Sequence, residues 1–178
     1  MQQFEQAASG LLVPASNLKV GGVFHGQIIR AGRVIDEWED HNLVVNEGLD
    51  SLLNIMFHGS TQITTWYMGV FEGNYTPVST VTAATITSAS TECTAYTSST
   101  RPAYDEAAAS SQSITNSASR ASFVFNATKT IYGAFLVSTS TKSGTSGTLF
   151  SAARFSSSKS VVSTDELLLT YTFTAASA

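Results

Sequence analysis

The sequence predicts an all-β protein, and three observations lead to that prediction. Short apolar runs alternate with hydroxyl residues at the period of two that a half-buried strand requires. Turn-forming residues interrupt these runs at a spacing typical of a sandwich or barrel. Only 12% of the 178 residues are charged, about half the usual share, so Ser and Thr must supply most of the polar surface. We therefore expect a jelly-roll-like β-sandwich of roughly eight strands with one short helix.

The first 20 residues show no clear period and are rich in Ala, Ser, Gly and Asn. This composition predicts an extended N-terminal arm, residues 1–20, ahead of a single sandwich domain over residues 21–178. Apolar side chains on such an arm need a partner to bury them. We therefore expect four of them to contact a partner: Phe4, Leu11, Leu12 and Val13. The apolar run at residues 11–13 is too short for a signal-peptide core or a membrane span.

The strands are predicted from apolar alternation and from the turns between them. A β-hairpin is expected over residues 23–39, with its turn at Ala31-Gly32. Residues 63–71 show little polar alternation, which predicts a largely buried strand. Residues 78–100 are rich in hydroxyls, so we expect a long loop there with one strand near residues 92–97. Five further strands are expected at residues 113–117, 121–126, 130–137, 148–155 and 166–174.

One helix is predicted between the hairpin and the buried strand. Asn46 can serve as its N-cap, and Glu47 and Asp50 place negative charge in its first turn. Apolar residues then recur at the helical period, namely Leu49, Leu52, Leu53 and Met56. We expect His58-Gly59 to end the helix, because Gly commonly follows the last helical residue. Because no second helix is expected, this apolar stripe must face the sheet.

The titratable residues form no catalytic or metal-binding motif in the sequence. The histidines, His25, His41 and His58, lack the spacing of a zinc site. The acidic run at residues 36–40 could supply an acid-base pair or bind Ca²⁺, but strand alternation sends neighbouring carboxylates to opposite faces. We interpret this run as a solvated edge strand, where charges discourage unwanted strand pairing. We expect neither an enzyme nor a bound cofactor or metal.

Charge and cysteine content argue against a nucleic-acid-binding protein and against a protein stabilised by disulfides or a cysteine-bound metal. The formal net charge of -4 disfavours nucleic acid as the main partner, because phosphate binding needs a net basic face. Cys93 is the only cysteine, so no internal disulfide and no cysteine-based metal site can form. We expect Cys93 to be a small, buried apolar side chain.

Several sequence patterns follow one another along nearly all of the chain after the arm. The first is N-L-V-x-N-x-G-L-x-x-L-L at residues 42–53, and G-x-x-x-G-x-x-x-P follows at residues 69–77. An apolar strand at residues 130–138 comes next, and a closing pair occupies residues 147–155 and 161–173. In this order the segments resemble a group of small virion structural proteins of tailed bacteriophages, similar to capsid decoration, or cement, proteins.

The resemblance implies a virion component that assembles in the host cytoplasm and binds the major capsid protein of the assembled head. Homodimers or homotrimers would suit the two-fold or three-fold positions of a shell. The alternative is a tail- or head-attached adsorption protein that binds a host glycan through Trp, Tyr and hydroxyl-rich loops. A depolymerising enzyme that uses Asp36 or Glu37 is a third, weaker reading. We expect neither nucleic acid nor a membrane among the partners.

Overall fold

The predicted all-β sandwich is confirmed by the computed structural model, which describes residues 4–6, 12–14 and 18–177. Within those residues, ten strands form two antiparallel sheets, two helices accompany them, and two short strands pair in the arm. The elements are β1 (Phe4–Gln6), β2 (Leu12–Pro14), β3 (Leu18–Arg30), β4 (Arg33–His41), β5 (Leu43–Val44), α1 (Asn46–Phe57), β6 (Trp66–Phe71), α2 (Ala83–Ala89), β7 (Ala103–Tyr104), β8 (Ser113–Thr115), β9 (Ala121–Val124), β10 (Lys129–Val137), β11 (Leu149–Val161) and β12 (Glu166–Ser177).

Sheet I has the strand order β5-β11-β10-β6-β7, and sheet II has the order β4-β3-β12-β8, with β9 also paired to β12. The connectivity of a jelly roll stays a prediction. The expected hairpin is present as β3 and β4, whose two-residue turn places Ala31 and Gly32 at φ 49° and 76°. Positive φ at both positions gives the turn a twist that matches the strands. β3 begins at Leu18, so the predicted arm overlaps this strand at residues 18–20.

Sheet I is buried on both faces. Its inner face packs against sheet II, where Val70 and Leu136 meet Leu169 in the main core. Its outer face forms a second core, in which Phe71 and Phe135 pack with residues such as Ile86 of α2. A strand buried on both faces has no polar side to alternate with. This arrangement explains the nearly continuous apolar run that predicted a buried strand over residues 63–71.

The second helix corrects the expectation of a single helix. α2 lies in the segment predicted as a long loop, and Thr82 and Thr85 form a reciprocal capping box at its start. The sequence did not indicate this helix, because few apolar side chains lie on its buried face, mainly Ala83 and Ile86. The strand expected near residues 92–97 is likewise absent from the described residues, where two isolated bridges, Phe71 to Glu92 and Tyr96 to Phe125, stand in its place.

Helix α1 forms where predicted, but it packs differently. Val45 is the N-cap instead of Asn46, and the helix ends at Phe57, with His58 as its C-cap and Gly59 at φ 73°. Of the residues of α1, Gly48 alone is fully buried, because its missing side chain admits the backbone of Phe150. The helix therefore touches sheet I near its N-terminal end. The prediction that the whole apolar stripe faces the sheet was wrong, because the C-terminal half leaves apolar side chains exposed.

Glycines lie opposite aromatic residues where β6 pairs with β10. Phe135 is the cross-strand partner of Gly69, and Phe71 is the partner of Gly133. Each ring occupies the space that a Cβ atom would need at the opposite glycine. Gly133 also lies against the backbone oxygen of Ala153 on the neighbouring strand, which cannot move without disturbing the pairing. The packing of the second core therefore depends on glycine at these two positions.

We predict that Gly133→Ala destabilises the protein by about 3 kcal/mol, at the upper end of the usual cost of overpacking. Gly21→Ala is the matched control, because a Cβ atom at that strand glycine meets no atom within 4 Å. We expect the control to stay within about 0.5 kcal/mol of the original chain. Urea unfolding followed by tryptophan fluorescence measures both changes. Equal stability of the two variants would contradict this account of the sheet.

Candidate functional site

The predicted contact residues of the arm fall in its strand pair, with one exception. Phe4 lies in β1, Leu12 and Val13 lie in β2, and Leu11 lies outside the described residues. The two strands are antiparallel, with Phe4 opposite Pro14 and Gln6 opposite Leu12. The structure thus brings the backbones of three predicted residues into one short hairpin-like unit. Their role as contacts stays a prediction.

An apolar groove of about 320 Å³ lies between α1 and one end of the sandwich. We call it the α1 groove and define it by six of its apolar lining residues: Leu52, Ile55, Met56, Trp66, Phe150 and Phe173. The aromatic side chains form a connected series, since the ring centroids are 5.6 Å apart for Trp66 and Phe150 and 5.2 Å apart for Phe150 and Phe173. Both contacts are edge-to-face, a favourable geometry for aromatic rings. The groove therefore has a well-packed wall of large apolar side chains.

The helix side of the α1 groove is open to solvent. Met56, which lines the groove, is 65% exposed, and Leu53 and Phe57, which are outside its lining in the same C-terminal half of α1, are exposed by 53% and 82%. Single exposed apolar residues are normal on a soluble protein, whereas a cluster beside an apolar groove is typical of an interaction site. The sequence predicted the apolar stripe correctly. It could not show that the stripe is only partly covered, because that depends on the angle at which α1 meets sheet I.

A second cavity of about 600 Å³ adjoins the α1 groove and shares Ser51, Ile55 and Ile63 with it. Amide, hydroxyl and carboxylate groups supply most of its polar lining, including Asn46, Glu47, Asp50, Asn54, Thr80 and Thr148. The carboxylate of Glu47 already accepts backbone hydrogen bonds from Ala83 and Leu149, at 2.8 and 2.7 Å. None of the described lining residues is aromatic. The cavity thus offers hydrogen bonds to a polar ligand but no ring on which a sugar could stack.

The acidic run of β4 does not converge into a site. Asp36 pairs with Lys159 at 3.1 Å, and the Lys159 ammonium lies 4.2 Å from the centroid of the Trp38 ring. Glu37 is on the opposite face, where hydrogen bonds from Gln27 and His25 hold its pKa below the usual range. β4 is an edge strand of sheet II, as the charge pattern predicted. Asp36 and Glu37 are therefore engaged in contacts within the chain.

The described residues contain no group of three or more His, Cys, Asp and Glu side chains placed to share a metal ion. His41 and His58 are exposed, and His25 bonds to Glu37 at 2.8 Å. Cys93 is fully buried in the main core, as predicted, and burial raises the pKa of its thiol. A raised pKa keeps the sulfur protonated and unreactive. Among the helices described, none has the length and apolar character to cross a membrane.

A buried ion pair that the sequence did not predict lies within the segment that connects α2 to β7. Arg101 donates two hydrogen bonds of 2.8 Å to the carboxylate of Glu92, and both side chains are almost completely buried. Arg101 also donates to the carbonyl oxygens of Thr139 and Gly144, while the Ser143 amide donates to Glu92. These bonds hold the segment after α2 against the β10–β11 loop. Neither residue stood out in the sequence, because nothing local indicates that they pair.

A second carboxylate is buried at the turn between β11 and β12. Arg30 donates two hydrogen bonds to Asp165, at 2.8 and 2.7 Å, and the Val162 amide donates a third at 2.8 Å. The hydrogen bonds from Arg30 and the Val162 amide hold the pKa of Asp165 below its usual range. The pair fastens the end of the β3–β4 hairpin to the last turn of the sandwich.

No protein-family model matches the sequence, and no curated protein matches it.

We predict that Arg101→Met costs about 3–5 kcal/mol of stability, because it leaves the buried Glu92 carboxylate without a counter-charge. The double variant Glu92→Gln with Arg101→Met should lose less than the sum of the two single variants, since no charge then remains buried. Denaturant unfolding of the four proteins in this cycle measures the coupling. Additive losses would show that the two side chains do not act as a pair.

We predict that the stability contributed by Asp165 depends on pH. A carboxyl whose pKa is lower in the folded chain stabilises it above the unfolded value of about 3.9, and this contribution is lost as the pH falls through the folded pKa. Asp165→Asn should therefore be less stable than the original chain by about 2 kcal/mol near pH 6. This gap should narrow as the pH falls below about 4.

Arg30→Gln is the partner variant for this test, because it keeps Asp165 and removes the group that lowers its pKa. Both variants should show a shallower loss of unfolding free energy than the original chain on acidification. Urea unfolding at a series of pH values provides the measurement. An unchanged pH slope in both variants would contradict the assignment.

Proposed function

We propose that the protein is a phage virion structural protein, most directly a decoration protein that binds and stabilises the assembled head, and that it is not an enzyme. The observation behind this proposal is the open α1 groove on an otherwise weakly charged, hydroxyl-rich sandwich. Such a groove needs an apolar partner. The sequence segments that, in their order along the chain, resemble those of small virion proteins support the same function.

The proposed mechanism is binding to the assembled state. A protein that binds the assembled shell and not its separate subunits shifts the equilibrium towards the shell by mass action. Many weak contacts on one particle add to a strong overall effect when the copies are linked. The partners in this proposal are the major capsid protein and further copies of the chain, and the location is the virion after assembly in the host cytoplasm.

The arm is the second part of the proposal. Phe4, Leu11, Leu12 and Val13 precede the sandwich, whose first strand starts at Leu18. Apolar side chains on a segment outside the main domain gain stability when they bind a surface of another subunit. We propose that these four residues contact the shell or a neighbouring copy that is bound to it.

The alternative is an adsorption protein that binds a host glycan. One observation favours it, namely the cavity of about 600 Å³ whose lining includes amides, hydroxyls and carboxylates. The absence of an aromatic side chain from the described lining makes this function second to decoration, because sugar rings commonly stack on aromatic faces. Quantitative gels of purified virions separate the two. A copy number close to that of the major capsid protein supports decoration, and a few copies per particle support an attached adsorption protein.

We predict that deleting residues 1–17 weakens binding to heads that lack the protein, because the arm contacts are lost while β3 remains complete. Co-sedimentation of the purified chain with such heads measures the bound fraction. The truncated chain should keep the thermal unfolding temperature of the full chain, which serves as the folding control. Undiminished co-sedimentation of a folded, truncated chain would overturn the role of the arm, and failure of the full chain to sediment with heads would overturn the decoration function.

A further inference from the structure

We propose that the α1 groove of one copy binds the end of the β3–β4 hairpin of a second copy. The hairpin end is defined by Arg33, Val34 and Ile35. This inference deepens the proposed function, because further copies of the chain are among the proposed partners and the two surfaces that meet are now named. Exposed apolar side chains, opposite charges and the distance between the two surfaces lead to it.

The hairpin end presents apolar side chains to solvent. Val34 and Ile35 are exposed by 51% and 47%. A register shift in the pairing of β3 with β4 leaves Ile35 without a partner on β3. A bulge of this kind changes the direction of a side chain relative to the rest of the strand. The hairpin end therefore offers apolar surface that another protein can bury.

The α1 groove offers the matching apolar surface. Its wall is the aromatic series Trp66, Phe150 and Phe173, and its volume of about 320 Å³ lies at the small end of the range for ligand sites. Of the eight large apolar side chains that are exposed among the described residues, five belong to the hairpin end or to the C-terminal half of α1. One contact between the two surfaces would therefore cover most of them.

The two surfaces carry opposite charges. Arg33 is exposed, and it takes part in none of the ion pairs between described residues. Glu106 is the charged residue in the described lining of the groove, and it is also outside those ion pairs. The adjoining cavity adds Glu47 and Asp50, and neither described lining contains Lys, Arg or His. A concave surface lined by one sign of charge attracts the opposite sign.

The end of helix α1 adds to the negative potential of the groove. The last turn of α1 contains no basic residue, and Met56 of that turn lines the groove. The C-terminal end of a helix carries partial negative charge, which stabilises a nearby cation. Arg33 of a second copy is such a cation. The helix end and Glu106 therefore favour the same partner from two separate parts of the chain.

The two surfaces lie near opposite ends of β3, so one copy cannot make the contact with itself. Phe173 of the groove pairs with Gly22, whereas the hairpin turn follows Arg30. The strand from Gly22 to Arg30 spans about 27 Å. Both ends are held by strand pairing within sheet II. The contact is therefore one between copies.

The contact has the symmetry of a closed assembly. The hairpin end and the groove are different surfaces, so the interface is head-to-tail. Such interfaces close into a ring when the rotation between copies allows it. A ring of three copies, one of the assemblies expected from the sequence, would fill every groove with a hairpin end.

Site-directed cross-linking of purified full-length chains, without heads, tests the contact. A tagged chain carries Val34→Cys, an untagged chain carries Met56→Cys, and a short bismaleimide reagent is added to the mixture. Both side chains are more than half exposed, so the fold should be kept, and circular dichroism checks this. Cys93 is fully buried and should not react in the folded protein. We expect a mixed cross-linked dimer.

The matched control uses Ser158→Cys in place of Met56→Cys. Ser158 is exposed on β11 next to Lys159, whose ammonium pairs with Asp36 of the hairpin. It therefore lies on the hairpin side of the sandwich and outside the lining of the groove. We expect the Met56 pair to give several times more mixed dimer than the Ser158 pair.

Charge reversal tests the ion pair between the copies. Arg33→Glu and Glu106→Arg should each weaken self-association by about two- to fivefold, the range for an exposed ion pair. The chain that carries both changes should recover the original association, because the two opposite charges then meet again. Sedimentation velocity over a concentration series at low salt measures all four proteins.

An apolar variant with its own control tests the rest of the contact. Ile35→Asp should leave a monomer, because it places a charge against the aromatic wall of the groove. Val78 is 53% exposed and lies outside both surfaces, so Val78→Asp should associate like the original chain. Sedimentation velocity measures both variants.

Three results would overturn the inference: a full chain that remains a monomer at high concentration, equal cross-linking of the Met56 and Ser158 pairs, or a double charge variant that stays as weak as the single ones. None of these results depends on heads. A chain that fails these tests and still sediments with heads would leave the decoration function standing. A chain that passes them and fails to sediment with heads would overturn the decoration function alone.

Discussion

The burial of β6 and β10 on both faces is the constraint on which the rest of the structure depends. Their inner side chains meet sheet II, and their outer side chains meet α2 and the segment that leads to it. Two large aromatic rings fit into this layer because glycines stand opposite them. The arrangement gives a chain with few charges two apolar cores instead of one. Once these central strands are covered on both sides, β4, β5 and β7 need only be short or charged edges.

Much of this fold could be predicted because local sequence patterns determine many of its strands and turns. The hairpin at residues 23–39 follows from two alternating runs around Ala31-Gly32, and the closing strand follows from the alternation of Leu167, Leu169 and Tyr171. The helix α2 was not predicted, since a short helix that contacts the core through Ala83 and Ile86 has almost no apolar periodicity. The Thr82–Thr85 capping box was the one local signal for it.

The candidate site was predictable only in its parts. An apolar stripe on α1 and apolar residues on the arm could be predicted from local patterns, but the groove also needs Trp66, Phe150 and Phe173 from three distant strands. Such a meeting is decided by tertiary packing, which no local pattern reports. The same reason applies to the Arg101–Glu92 pair, whose two residues lie in one connecting segment and are buried where the β10–β11 loop contacts that segment. The interaction surface therefore forms only when the whole sandwich has folded.

The pairing of Leu18 with Ser177 has a practical consequence for anyone who wishes to display a cargo on this scaffold. A reporter fused after Ser177 would lie beside Leu18, where the arm joins β3, and it would sterically hinder binding by the arm. The Ala31-Gly32 turn lies at the other end of the same strand, roughly 40 Å away along β3. A short peptide tag inserted there would project from the opposite end of the molecule and leave the arm unobstructed.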